Sequence, residues 1–345
     1  MKLLGVDSVE YAVKSIQTVE PLLKIWGFEK TGSGKTGNSR CALWGQGKIK
    51  FLITQGDTLD SEASIFVKKH GDGICNVSFL VEDAAHAAEF VGGRGAEITH
   101  QPKTVTAGPG KIKTSSMAAM GDVIHTFISR HGTSKFSDTV DVDIEKSPKG
   151  LGMFATDHLT CNLASGQLDK WSAFYEKVLD FKVTRSFHIT TGRTGLLSKV
   201  MENTEGTVKI PLNEPADKKS QIQEYIDTNR GPGVQHLALA TGNILDTLPK
   251  LRKGGQKFLS VPDTYYDEVP KRVKTIKENL GELKSQGILV DGDNSGYLLQ
   301  IFSENVVGPF FFEVIQRCGN KGFGEGNFKA LFEAIERDQE RRGVI

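Results

Sequence analysis

Apolar positions along the chain follow two different spacings, one typical of helices and one of short strands. Between residues 168 and 179, Leu168, Trp171, Tyr175 and Val178 recur at helical intervals, which predicts a helix with one buried face. Apolar or alternating runs at 236–240, 296–302 and 310–315 are typical of strands. The pattern therefore predicts an α+β fold in which short strands are closed by glycine-rich turns.

Three segments of the first half recur in the same order in the second half. Residues 6–10, 70–77 and 121–130 resemble residues 156–160, 230–237 and 308–317. The offset between matching positions grows along the chain, from 150 to 160 and then to 187 residues. A growing offset indicates one duplicated unit with insertions in its second copy, and the polar stretch 263–286 is the candidate for the largest insertion.

The two copies are separated by a polar, turn-rich segment at 134–152. We therefore expect a domain boundary near residue 150, with domains at 1–150 and 151–345. A chain of 345 residues is long enough for two domains.

Composition narrows the class of partner. The chain has 43 lysines and arginines against 42 aspartates and glutamates, a net charge of +1. This balance argues against a nucleic-acid or membrane surface and favours a small molecule. The sequence has no apolar run long enough to span a membrane and no signal-peptide pattern, so we expect a cytoplasmic protein. Its four cysteines are far apart, which predicts reduced thiols.

The repeat allows each half to serve as a control for the other. At three matching positions the second half has strong metal ligands where the first half has weak ones: His158 against Ser8, His236 against Asn76, and Glu313 against Thr126. Two imidazoles and one carboxylate form the facial triad that holds Fe(II) with three positions open. Glu313 lies in an apolar strand, where a buried carboxylate is costly unless it is paired or metal-bound. A glutamate on a solvent-exposed edge would need no such partner.

A series of ordered motifs in the second half is also informative. They occupy residues 157–160, 210–215, 221–223, 233–239, 262–266, 298–302, 312–317 and 322–328. With these motifs the chain resembles the 4-hydroxyphenylpyruvate dioxygenase family of the vicinal-oxygen-chelate superfamily. The first half matches that family more loosely.

The resemblance implies a fold and a cofactor. Duplicated βαβββ modules would form two half-open β-barrel domains, the first without metal ligands. The second would be catalytic, with one Fe(II) per subunit held by His158, His236 and Glu313, and a C-terminal helix would close over the metal. Members of the family form homodimers or homotetramers.

The resemblance also implies an activity and a pocket. The reaction would convert 4-hydroxyphenylpyruvate and O2 to homogentisate and CO2, a step of tyrosine and phenylalanine catabolism. Family motifs assign the following residues to the substrate: Ser198, Asn213, Gln221, Gln235, Gln300, Phe302, Phe311, Phe323 and Phe328. Uncharged amides and a hydroxyl can bond a phenol or a keto group without competing for the iron.

The last segment predicts an amphipathic helix that follows a glycine-rich approach at 319–326. Asn327 is a suitable N-cap, and one face would carry Phe328, Leu331, Phe332 and Ile335. Such a helix could simply complete the domain. The family resemblance favours a gate that closes over the metal.

Two other functions fit parts of the pattern. The first is 4-hydroxymandelate synthesis, which uses the same metal, substrate and fold but hydroxylates the benzylic carbon. Asn213 and Phe328 favour the dioxygenase, because mandelate-forming relatives depart from the pattern at such pocket positions. The second is a metal-free binding protein of the same fold, which would have no need of His158, His236 and Glu313.

Overall fold

In the computed structural model, which describes residues 1–191, 194–341 and 343, the chain forms two eight-stranded sheets, one from each half. The elements of the first half are β1 (Leu3–Ala12), α1 (Ile16–Ile25), β2 (Glu29–Thr36), β3 (Ser39–Gln46), β4 (Ile49–Gly56), α2 (Glu62–His70), β5 (Gly73–Val81), α3 (Ala84–Gly92), β6 (Ile98–Ala107), β7 (Gly110–Ala118) and β8 (Ile124–His131). The elements of the second half are β9 (Met153–Asn162), α4 (Leu168–Leu179), β10 (Lys182–Thr190), β11 (Gly195–Glu202), β12 (Lys209–Pro215), α5 (Gln221–Asn229), β13 (Gly233–Thr241), α6 (Ile244–Lys253), α7 (Tyr265–Arg272), α8 (Leu280–Ser285), β14 (Leu289–Asp293), β15 (Gly296–Phe302), β16 (Phe311–Cys318) and α9 (Glu325–Arg341).

The two sheets have the same strand order. It is β2-β3-β4-β1-β5-β8-β7-β6 in the first half and β10-β11-β12-β9-β13-β16-β15-β14 in the second. Each half therefore consists of two βαβββ modules, joined by α2 or α5, and each sheet curls into a half-open barrel. The predicted vicinal-oxygen-chelate fold is confirmed.

Strand register places the repeat on matching positions. In the first sheet Ser78 of β5 lies opposite Ser8 on one side and Thr126 on the other. In the second sheet Ala238 of β13 lies opposite His158 and Glu313 in the same way. The residues that the sequence comparison paired therefore occupy equivalent places in the two barrels.

Several predicted elements are confirmed. The helix predicted at 168–179 is α4, which buries Leu168, Tyr175 and Val178 and ends at Asp180, in the left-handed conformation (φ 56°). The strands predicted at 236–240, 296–302 and 310–315 belong to β13, β15 and β16. The stretch 263–286 contains α7 and α8, which have no counterpart between α3 and β6 among the described residues of the first half.

The two halves share one core. On β16, Phe312 packs against Trp26 of the first half with ring centroids 4.5 Å apart, and it also contacts Phe51. Neighbouring residues on a strand point to opposite faces of the sheet. Glu313 therefore faces away from the first half, into the concave side of the second barrel.

The start of the last helix differs from the prediction. Helix α9 begins at Glu325, and Asn327, predicted as its N-cap, lies in its first turn. The backbone N–H of Gly326 instead donates to the carboxylate of Asp291, which comes from β14. Side chains of the predicted face at Leu331, Phe332 and Ile335 lie outside the described part of the structure.

Two further expectations concern the whole chain. All four cysteines are free thiols, as predicted. Among the described residues, the helices include none that is long and apolar enough to cross a membrane.

Candidate active site

Three adjacent strands bring the predicted metal ligands together. His158 on β9 and Glu313 on β16 lie opposite the same residue, Ala238, on the two sides of β13. His236 is two residues before Ala238 on β13 and opposite Thr160 of β9. Because the strand between the outer two ligands carries only a methyl group at Ala238, their side chains can converge above it.

The ligand atoms lie close together and are buried. Nε2 of His158 is 3.2 Å from Oε2 of Glu313, and Nε2 of His236 is 3.7 Å from the same oxygen. One candidate ligand atom from each of the three residues lies within 4.8 Å of the other two. Two imidazole nitrogens and a carboxylate oxygen are a ligand set that suits a divalent transition metal.

Charge at the site also fits a cation. Burial alone would lower the pKa of His158, but the charge of Glu313 and the hydrogen bond to Asp157 raise it to about 9. Burial and the charge of His158 hold the pKa of His236 well below its ordinary value. Burial opposes ionisation of Asp157, yet hydrogen bonds from Arg317 and His158 hold its pKa well below the usual range. One proton on His158 thus balances Glu313, and a metal ion would replace that proton.

Each candidate ligand has different neighbours that orient its side chain. Nδ1 of His158 is 2.9 Å from Oδ1 of Asp157, and the amide of Gln300 donates to Oε1 of Glu313 at 2.9 Å. The ring of His236 stacks on Phe311 with centroids 4.7 Å apart and planes 21° apart. Nδ1 of His236 is buried, with no hydrogen-bond partner among the described residues.

All twelve residues predicted for the metal and the substrate line one cavity. They are His158, Ser198, Asn213, Gln221, Gln235, His236, Gln300, Phe302, Phe311, Glu313, Phe323 and Phe328. Oγ of Ser198 and Oε1 of Gln221 are buried and have no partner among the described residues, so they are available to a polar ligand. The roles assigned to these residues remain predictions.

Gln300 is already engaged within the protein. Besides Glu313, its amide nitrogen donates to the carbonyl of Phe323, at 3.3 Å, and its carbonyl oxygen accepts from Nδ2 of Asn327, at 2.8 Å. The hydroxyl of Tyr265 lies 2.5 Å from Oδ1 of Asn327. A chain of hydrogen bonds therefore runs from α7 through the first turn of α9 to the carboxylate of Glu313.

The sequence did not point to five other lining residues: Thr160, Ile189, Leu196, Pro211 and Ile222. Thr160 could have been found, because it lies two residues after His158 and so faces the same side of β9. The three aliphatic side chains cannot be distinguished from core residues by sequence.

The cavity is narrow in this conformation. The empty space within its lining, including the opening to solvent, is about 570 Å3, but the centre of a water molecule can reach only about 30 Å3 of it. An enclosed space of that size admits a few water molecules and is too small for an aromatic ring with its side chain. Phe323, just before α9, and Phe328, within it, form part of the wall, so an aromatic ligand can enter only if this segment moves.

Comparison with known proteins identifies the family. Residues 1–145 match the profile of the hydroxyphenylpyruvate dioxygenase (HPPD) N-terminal domain, and residues 155–278 match that of the glyoxalase/bleomycin resistance protein/dioxygenase superfamily. The chain is 39% identical to the 4-hydroxyphenylpyruvate dioxygenase of Pseudomonas aeruginosa, over 99% of this chain and 97% of that protein. The chain belongs to the 4-hydroxyphenylpyruvate dioxygenase family. The predicted resemblance is confirmed.

Two other similarities also extend over nearly the whole chain. It is 40% identical to hemolysin VllY of Vibrio vulnificus, over 99% of this chain and 96% of that protein. A solved structure of a 4-hydroxymandelate synthase mutant from Streptomyces coelicolor superposes with a TM-score of 0.87 at 26% identity, and the match covers 98% of this chain and 100% of the synthase. The synthase therefore shares the architecture of both halves of the chain.

Proposed function

We propose that the chain converts 4-hydroxyphenylpyruvate and O2 to homogentisate and CO2 at an Fe(II) centre held by His158, His236 and Glu313. One observation carries the proposal: two buried imidazole nitrogens face the same oxygen of a buried carboxylate, inside a cavity lined by amides and phenyl rings. The family to which the chain belongs supports the same reaction.

The charge of the site supports a divalent ion and an anionic substrate. With neutral imidazoles, Glu313 contributes one negative charge, while Asp157 and Arg317 cancel each other. A divalent cation would make the site positive by one charge, which suits the carboxylate of a 2-oxo acid. When bound, Fe(II) supplies positions for the 2-oxo acid and O2 and the redox chemistry for decarboxylation and ring hydroxylation.

The chain's own task is to orient the substrate. The unpartnered oxygens of Ser198 and Gln221 suit hydrogen bonds to the substrate's polar groups, and Asn213 and Gln235 offer amides in the same cavity. Phe302, Phe311, Phe323 and Phe328 would hold the ring, since aromatic pairs favour edge and offset contacts. Gln300, whose amide is engaged by Glu313 and Asn327, would act on the ligand Glu313.

The segment 319–341 would be the gate. Phe323 and Phe328 line the cavity, and the narrow space left beside them implies that the segment opens for the substrate and closes over it. Closure would exclude water during the reaction. Polar contacts hold this segment in place. The carboxylate of Glu336 accepts from the hydroxyls of Thr191 and Thr194, and the amide of Gln339 donates to Glu224.

The two halves would have different tasks. We propose that residues 1–150 form a domain without metal ligands and that residues 151–345 form the catalytic domain. At the three places where the second half carries ligands, the first has Ser8, Asn76 and Thr126, which are weak ligands. The first domain would therefore serve the assembly of a homodimer or homotetramer. The protein would act in the cytoplasm.

Product identification tests the proposed function. Iron-loaded protein, incubated with 4-hydroxyphenylpyruvate and O2, is expected to release CO2 and form homogentisate, identified by chromatography and mass. A 4-hydroxymandelate product would contradict the proposal and favour the synthase activity. Substrate binding without O2 uptake would indicate a binding protein.

A further inference from the structure

Both halves of the molecule contain an aspartate–arginine pair with little exposed side chain, at the same positions of the repeat. In the first half Arg130 of β8 donates to the two oxygens of Asp7 on β1, at 2.6 and 3.1 Å. In the second half Arg317 of β16 donates to the two oxygens of Asp157 on β9, at 2.6 and 2.7 Å. Each pair thus joins the strand that comes first in its half of the chain to the strand that comes last in that half.

Each arginine also holds the segment that follows its strand. Arg130 donates to the carbonyl oxygens of Lys135 and Phe136, and Arg317 donates to those of Asn320 and Gly322. We call each aspartate–arginine pair, with the carbonyls it binds, a strand clamp. Because the first half has a strand clamp but no ligand set, the clamp's shared role is structural.

Only the second strand clamp reaches a metal ligand. Oδ1 of Asp157 accepts from Arg317 and is also 2.9 Å from Nδ1 of His158. The carboxylate can only accept, so the ring nitrogen that faces it carries the hydrogen. This leaves Nε2 of His158 directed at Glu313, 3.2 Å away. In the first half Ser8 stands in the place of the histidine.

The same clamp touches the gate. Phe323, which follows the clamped Gly322, lies between the two partners: its ring centroid is 5.4 Å from that of His158 and 5.8 Å from the guanidinium of Arg317. One guanidinium therefore contacts both the carboxylate that faces His158 and the segment that leads into α9.

We propose that the strand clamp, which is structural in both halves, also positions the metal ligand His158 in the second half. Asp157, held by Arg317, fixes the tautomer and the ring orientation of His158, and Arg317 ties that orientation to the gate. Both are positioning residues. The inference rests on the proposed metal site and adds to it two residues that contact neither metal nor substrate.

Matched variants of the two clamps test the inference. Asp157→Asn and Asp7→Asn remove the same charge from equivalent pairs, and both are expected to lower the urea midpoint of unfolding. Anaerobic titration with Fe(II) is expected to show about 10- to 100-fold weaker binding for Asp157→Asn. Affinity in Asp7→Asn should equal that of the unaltered chain. Equal affinities in both variants and the unaltered chain would overturn the inference.

A second measurement needs no variant and therefore does not depend on how a variant folds. In the unaltered chain, loaded with Zn2+ and labelled with 15N in histidine, the Nδ1–H of His158 should give a downfield proton resonance that exchanges slowly with water, because Asp157 accepts it. An Nδ1–H that exchanges as fast as that of an exposed imidazole, or a metal bound to Nδ1, would overturn the inference. Failure of the unaltered chain to bind Fe(II) or Zn2+ would instead overturn the proposed metal centre, and the inference with it.

Discussion

At the scale of single residues, the site depends on strand alternation. On β16, Phe312 packs into the core between the halves, while its neighbours Phe311 and Glu313 face the cavity. On β9, Leu159 is in the core, while His158 and Thr160 face the cavity. A shift of one residue in either strand would exchange these faces, so the register that buries the core also assembles the ligands.

Two adjacent tyrosines on α7 provide a residue-scale prediction. The hydroxyl of Tyr265 accepts from the backbone N–H of Val290 at 2.8 Å and contacts Asn327, whereas that of Tyr266 is buried with no partner among the described residues. Tyr265→Phe leaves a buried N–H unpaired and is expected to cost about 1–3 kcal/mol of unfolding free energy. Tyr266→Phe removes an unpaired buried hydroxyl and should be neutral or stabilising.

Urea unfolding of both variants measures the difference, since they delete the same atom from neighbouring positions. The slope of the unfolding free energy against urea should be unchanged in both. Equal destabilisation by the two substitutions would contradict the hydrogen-bond chain from α7 to Glu313.

The three candidate ligands could be proposed from the sequence, because the repeat matches His158, His236 and Glu313 with weaker ligand types in the first half. The structure places one candidate ligand atom of each within 4.8 Å of the other two. The strand clamps lay within the same matched segments, so the recurrence of Asp157 and Arg317 at equivalent positions was a signal that could have been used. Lining residues such as Ile189 and Leu196 could not be identified, because an aliphatic side chain has the same character beside a cavity as in a core.

At the scale of elements, the local apolar pattern predicted both ends of α4 correctly but predicted the wrong first residue for α9. Helix α4 depends on its own apolar spacing. The first turn of α9 depends on partners from elsewhere: Asp291 accepts from the N–H of Gly326, and Asn327 bridges Tyr265 and Gln300. A tertiary cap of this kind overrides the local preference of asparagine for the N-cap.

Removal of the gate gives a prediction for an element. A chain ending at residue 321 keeps every described strand, since β16 ends at Cys318, and it keeps all three proposed ligands. It is expected to fold and to bind iron but to form no homogentisate, because Phe323 and Phe328 are lost and water enters the cavity. Circular dichroism, metal content and product analysis check the three parts. Turnover at the rate of the full chain would contradict the gate.

At the scale of the whole molecule, the halves are joined by apolar and polar contacts. The largest hydrophobic cluster includes residues of both sheets. Nε2 of His125 on β8 is 2.8 Å from the hydroxyl of Tyr175 on α4, and both side chains are buried. The halves are therefore expected to unfold together.

The buried His125 predicts how stability depends on pH. Burial lowers its pKa to about 4, from an ordinary value of 6.5, so the folded chain binds this proton less readily than the unfolded chain. Stability due to this group is complete above pH 6.5 and is lost as the pH falls towards 4, by about 3 kcal/mol.

Unfolding in urea across this pH range checks the prediction. His125→Gln should lose this part of the pH dependence, whereas His131→Gln, at an exposed position in the same half, should keep it. An unchanged pH dependence in His125→Gln would show that other groups cause it.

One fold is used twice in this chain, and we expect only its second copy to hold a metal. Iron counted per chain after anaerobic dialysis against Fe(II) tests this claim most directly, with substitutions at matched positions of the two halves. We expect one iron per chain in the unaltered protein and in Thr126→Ala, and none in Glu313→Ala. Two irons per chain, or one retained by Glu313→Ala, would contradict this claim.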